Sequence, residues 1–141
     1  AFAAFLSQRH QVVVYANAQS VLNTLGRQFQ LGALTNGNAD VRKTEIGSCF
    51  DYAWRAEEFG VSKPDPALFH RAFEAAGVSA DEVIHIGDCH DNDVSGAISA
   101  GAKAIWFTPD GGASEIASGV VRELSELPAA IARLTGHTGL V

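Results

Sequence analysis

An apolar run, Ile84-His85-Ile86-Gly87, ends abruptly in carboxylates: Asp88-Cys89-His90-Asp91-Asn92-Asp93. Buried strands of a parallel sheet read as such runs, and in open α/β sheets ligands bind just past the carboxyl ends of the strands. Three acids within six residues at one strand tip repel each other unless a cation neutralises them. A hard divalent cation such as Mg²⁺ takes one or two carboxylates and fills its shell with water and phosphate oxygens. The stretch therefore predicts an α/β fold with a Mg²⁺ site facing a phosphate.

The rest of the chain alternates in the same way. Residues 1–10 read as the middle or end of a helix. Ala18 to Gln28 is helical, with Val21, Leu22, Leu25 and Phe29 on one face. Gln30 to Thr35 reads as a short buried strand ended by the Asn36-Gly37-Asn38 turn. Asp40 to Ile46 is a short helix and Phe50 to Arg55 a strand rich in aromatics. Asp65 and Pro66 suit the cap and first residue of a helix that runs to about Ala76 and closes at Gly77. Glu82 to Gly87 is a strand, Asp93 to Ala100 a helix stopped by Gly101, and Ala104 to Phe107 a strand. A helical turn at Glu115 to Ala117 and a helix from Leu127 to Leu134 complete the pattern, with a loose tail from Thr135. Strands alternating with helices imply parallel βαβ units, hence a doubly wound, Rossmann-like parallel sheet.

Three places carry chemistry, and each has an ordinary reading beside it. Thr35-Asn36-Gly37 ends a strand, where a hydroxyl and successive backbone N–H groups can cradle a phosphate; it also suits a plain Asn-Gly turn. Lys63 precedes Pro64-Asp65-Pro66, a rigid turn that would hold its ammonium in place for a phosphate, or it is a solvated surface lysine. The acid cluster could be a solvated loop, a calcium loop or a Mg²⁺ site. A calcium loop starting at Asp91 fails at its twelfth position, Ala102, where a bidentate Glu is needed. His85 reads as a core histidine, Cys89 and His90 flank Asp88 without zinc spacing, and Trp54 and Trp106 read as core or edge residues.

Composition narrows the partners. Of 141 residues, 47% are apolar and 18% charged, a globular balance with one domain as the prior. The net charge is -6 with no basic stripe, so nucleic acid is not an expected partner. No apolar run is long enough to span a membrane, and no signal peptide is visible. Cys49 and Cys89 lie far apart and form no Cys-x-x-Cys pair, which points to a cytoplasmic setting.

In this order, Leu34-Thr35-Asn36-Gly37, Lys63-Pro64-Asp65-Pro66 and Gly87-Asp88-x4-Asp93 resemble the second, third and fourth motifs of the haloacid dehalogenase superfamily. The resemblance spans roughly residues 12 to 134 and looks like the phosphatase branch with a helical cap. It implies a Mg²⁺-dependent phosphatase of a small phosphorylated metabolite, working through an aspartyl-phosphate. Thr35 would hydrogen-bond the transferring phosphoryl group with the Asn36 amide and Gly37 beside it. Lys63 would neutralise phosphoryl oxygens and nucleophile, Asp88 would bind the metal, and Asp93 would support the metal shell or orient Lys63. The dehalogenase branch fits less well, since its fourth motif needs no acid pair for Mg²⁺.

The family's first motif, Asp-x-Asp-x-Thr at the tip of the central first strand, is absent, and with it the nucleophile. The expected division is residues 1–12 as the end of a helical cap and 13–141 as an α/β core incomplete at that strand. An upstream segment, a second copy or a collapse of the flanking strands would close the gap, since bare backbone inside a sheet is costly. On this reading the chain alone is inactive. The alternative is a degenerate, non-catalytic family member that binds a phosphate ligand or a protein partner.

Overall fold

In the computed structural model, which describes residues 3–6, 18–35 and 47–135, the apolar runs become six parallel strands. They are β1 (Ala3–Leu6), β2 (Gln30–Thr35), β3 (Tyr52–Arg55), β4 (Val83–Gly87), β5 (Lys103–Phe107) and β6 (Gly119–Val121). Their order across the sheet is β3-β2-β1-β4-β5-β6. Helices α1 (Ala18–Gly26), α2 (Ala56–Phe59), α3 (Pro66–Ala76), α4 (Gly96–Ser99) and α5 (Leu127–Thr135) are interspersed among them. No helix among the described residues is long and apolar enough to cross a membrane.

Side chains alternate between the two faces of each strand, as the pleat requires. Leu31, Ile84, Ile86, Ile105 and Phe107 point to one face and pack with Leu22 and Leu25 of α1 and with Leu127 and Ile131 of α5. Leu34, Val83 and Ala104 point to the other, against Leu68, Phe69, Ala72 and Phe73 of α3 and Ala97 of α4.

Helix α3 matches its sequence signals end to end. Asp65 caps it, its Oδ1 accepting from the Ala67 N–H at 2.9 Å; Pro66 is its first residue, and Gly77 closes it at φ 73°. Three expectations fail. Residues 3–6 are strand rather than helix, and they fill the central slot, pairing in parallel with both β2 (Leu6↔Ala33) and β4 (Leu6↔Ile86). The gap is therefore closed by the chain's own Ala3–Leu6. Two rows of backbone groups there demand partners, and that demand overrides the helical preference of an Ala-rich segment. The segment around Glu115 is bent but not helical; the Ser114 hydroxyl accepts from the Ile116 and Ala117 N–H groups and turns the chain into β6, an unexpected strand. The helix expected from Asp93 begins instead as a wide, π-type turn over His90–Ser95, and only then becomes α4. Such wide turns recur at functional sites. The helix expected at Asp40 to Ile46, the tail, and the domain division at residue 12 fall outside the described residues.

Candidate functional site

The carboxyl ends of β2 and β4 bring the third and fourth motifs together. Lys63 Nζ lies 2.8 Å from Asp93 Oδ1 and 3.4 Å from the Leu34 carbonyl oxygen, the last peptide before Thr35. Both side chains are almost fully buried, Lys63 at 4% and Asp93 at 3% exposure. This is no solvated surface lysine. A charge this deep persists only when paired and hydrogen-bonded, and Asp93 is bonded on both oxygens. Oδ1 also accepts from His85 Nε2 at 3.1 Å, and Oδ2 accepts from the Cys89 N–H at 3.1 Å.

Two glycines make this geometry feasible. A Cβ on Gly87 would stand 2.2 Å from Asp93 Cγ, so only glycine lets the carboxylate lie against the tip of β4. A Cβ on Gly96 would meet Phe69 Cε2 at 2.6 Å and Pro64 Cα at 3.1 Å. Its absence lets the Lys63–Pro64 turn and α3 close onto the start of α4, which delivers the ammonium to Asp93.

The electrostatics follow from the burial. Desolvation alone would raise the Asp93 pKa. The hydrogen bond from His85 and the charge and hydrogen bond of the Lys63 ammonium outweigh it and hold the carboxyl well below the usual carboxylate range. His85 is pushed below the usual histidine value, first by burial and further by the Lys63 charge, against the opposing pull of Asp93. Asp93 is thus ionised and His85 neutral at physiological pH. A carboxylate only accepts, so the imidazole proton sits on Nε2.

Asp88, half-buried just past β4, is positioned from the other side. The Trp106 indole N–H donates to the Asp88 carbonyl oxygen at 3.1 Å. The His90 ring stands edge-on to Trp106, with centroids 4.9 Å apart, and its Nε2 meets Ser114 Oγ at 2.6 Å. Thr35 is buried at the end of β2, Asn36 and Gly37 fall outside the described residues, and Asp91 is exposed. Among the described residues no group of three or more His, Cys, Asp or Glu side chains converges into a metal cage. Among the described residues, Asp88 and the remaining lone pair on Asp93 Oδ2 are what this edge could offer a cation. That donor set fits Mg²⁺, which keeps most of its shell as water and phosphate oxygen, and not a metal that needs an all-protein cage.

His85 is buried inside β4, as expected of a core histidine, and its Nε2 reaches Asp93. Its signal was a polar ring inside an otherwise apolar strand, two residues before the Gly-Asp tip.

Comparison with known proteins identifies a family. Residues 2–101 match the haloacid dehalogenase-like hydrolase family. The chain is 34% identical over 108 residues to the 5-amino-6-(5-phospho-D-ribitylamino)uracil phosphatase of Escherichia coli, covering 77% of this chain and 45% of that protein. It is 34% identical over 109 residues to the phosphoserine phosphatase of Thermus thermophilus, covering 73% and 44%. The fold superposes on a 2-haloacid dehalogenase from Pseudomonas syringae with a TM-score of 0.82 and 41% identity, over 88% of this chain and 55% of that one. The chain spans about half the length of the curated relatives it matches.

Proposed function

The chain belongs to the haloacid dehalogenase-like hydrolases, and on that footing we propose that it is the phosphate- and Mg²⁺-binding part of a phosphatase for a small phosphorylated metabolite. The observation that carries this is the Lys63 ammonium, buried 3.4 Å from the Leu34 carbonyl oxygen at the end of β2 and locked by Asp93 at 2.8 Å. Phosphoryl transfer asks little covalent chemistry of a protein; positioning and charge neutralisation dominate.

Each residue has a defined task in this reading. The Thr35 hydroxyl hydrogen-bonds a phosphoryl oxygen, a task to which the sequence motif adds Asn36 and Gly37. Lys63 neutralises the oxygens and is kept from swinging away by Asp93. Asp88 would hold Mg²⁺, which supplies further neutralisation of phosphoryl charge when bound. Asp93 supports that shell indirectly, through Lys63 and through the Cys89 amide next to Asp88. A nucleophilic carboxylate forms the aspartyl-phosphate in the family, and the sequence has no Asp-x-Asp-x-Thr to supply it. The 141-residue chain is therefore expected to bind phosphate and not to turn over phosphate esters.

The likeness to a 2-haloacid dehalogenase favours one other reading, displacement of halide from a small carboxylic acid. That chemistry has no use for a cation at Asp88, and the Gly87-Asp88-x4-Asp93 spacing speaks against it. The deciding experiment is ³¹P line broadening of inorganic phosphate by the chain, with and without Mg²⁺. Binding that strengthens with Mg²⁺, loses that dependence in Asp88→Asn, and disappears in Lys63→Ala is the expected result. Indifference to Mg²⁺ in the unaltered chain would remove the phosphatase reading and leave the dehalogenase one.

A further inference from the structure

The phosphatase reading gives His85 no task, yet the structure ties it directly to the ion pair. We propose that His85 is a positioning residue: by donating to the Asp93 carboxylate from beneath, it sets how firmly Asp93 holds Lys63 and so how much of the ammonium is presented to the phosphate. The inference rests on the function proposed above and deepens it.

The geometry carries the argument. Lys63 Nζ and His85 Nε2 converge on the same oxygen, Asp93 Oδ1, at 2.8 and 3.1 Å. The His85 ring is fully buried, with Phe69 packed edge-to-face at 5.0 Å and 88°. Its second nitrogen, Nδ1, is buried with no hydrogen-bond partner. A ring kept merely to fill the strand would be replaceable by a leucine without that cost. Here the imidazole leaves one nitrogen unsatisfied in exchange for a single bond to Asp93. Without a second donor on Oδ1, the carboxylate would draw its remaining charge balance from Lys63 and from the Cys89 amide on Oδ2. The ammonium would then be pulled down toward β4, away from the Thr35 edge where a phosphoryl oxygen would lie. His85, contributing hydrogen-bond donation without charge, stabilises the carboxylate while leaving the ammonium available.

The test uses the 141-residue chain and inorganic phosphate with Mg²⁺. His85→Gln keeps an N–H donor at nearly the reach of Nε2; His85→Leu fills the space and removes the donor. The expected result is about tenfold weaker phosphate binding in His85→Leu, the scale of one lost hydrogen bond to a charged group, and rescue to within about twofold in His85→Gln. Thermal unfolding of both variants is measured alongside, because a merely structural role would shift stability and leave affinity alone. If His85→Leu does not fold, His85→Asn replaces it: its amide is too short to reach Asp93, so it should bind weakly where Gln binds well. Equal affinity across the folded variants overturns the proposal. The two failures are distinguishable. If Lys63→Ala abolishes binding while His85→Leu leaves it intact, only the positioning role falls; if the unaltered chain binds no phosphate, the functional reading falls and takes this one with it.

Discussion

The two faces of the sheet are built from different materials. Among the described residues, the face covered by α1 and α5 buries Leu25, Leu31, Ile105, Leu127 and Ile131 fully. The face covered by α3 and α4 is leaner: among the described residues, six of its twelve buried apolar side chains are alanines, against three of sixteen opposite. Small residues let backbones approach closely, and Gly87 and Gly96 carry that to its limit. The closeness holds Lys63, His85 and Asp93 at the carboxyl edge of this face. One layer supplies stability by burying apolar area. The other gives up some of that area to hold a charge pair, which contributes little net stability on its own.

Asp93→Ala should break the comparison most visibly. It leaves the Lys63 ammonium buried and uncompensated, a loss of about 4 kcal/mol, read as a drop in the urea midpoint. The double variant Lys63→Met with Asp93→Leu removes both charges and should recover most of that stability while binding no phosphate. A double variant as unstable as the single one would mean the pair supports the fold and not the site. On the opposite face, Ile131→Ala should cost about 3 kcal/mol through the cavity it leaves, with phosphate affinity unchanged. If the folded Ile131→Ala protein loses affinity, the division of labour between the faces is wrong.

The same division explains what could be read from the sequence. Strands β2, β4 and β5 and helix α3 announced themselves because local signals and tertiary demands agree there: apolar runs, an Asp-Pro start and a glycine stop. Ala3–Leu6 could not be read, since its strand state comes from two neighbouring strands more than twenty residues away in sequence. β6 has only three residues, too few to show a period. At the site, the order and spacing of the motifs singled out Lys63, Asp88 and Asp93, and the structure brings Lys63 and Asp93 into contact. The sequence left Asp93 between orienting Lys63 and supporting a metal shell, because which atoms reach its carboxylate is set by tertiary packing. Nor was the His85–Asp93 contact legible, since a lone histidine in a strand looks the same with or without a carboxylate behind it.

The smallest effect sharpens the comparison by titration. The folded His85 pKa lies below its ordinary 6.5, first because burial penalises the charged ring and then because Lys63 repels it. Below pH 6.5 the unfolded chain binds a proton at this position that the folded chain declines. The stability His85 contributes is therefore full above that pH and is lost as the pH falls, by up to about 1.4 kcal/mol per unit. Asp93 does not interfere in this range. Its pKa is lowered from 3.8, so its contribution stays intact until the pH falls below that value. As the pH falls below 6.5, and before Asp93 enters at 3.8, the difference in unfolding free energy between the unaltered chain and His85→Gln should narrow. Histidines that titrate alike in both proteins cancel from that difference. A difference that stays flat across the window would mean the ring takes up its proton inside the folded protein, and the neutral donor to Asp93 would have to be given up.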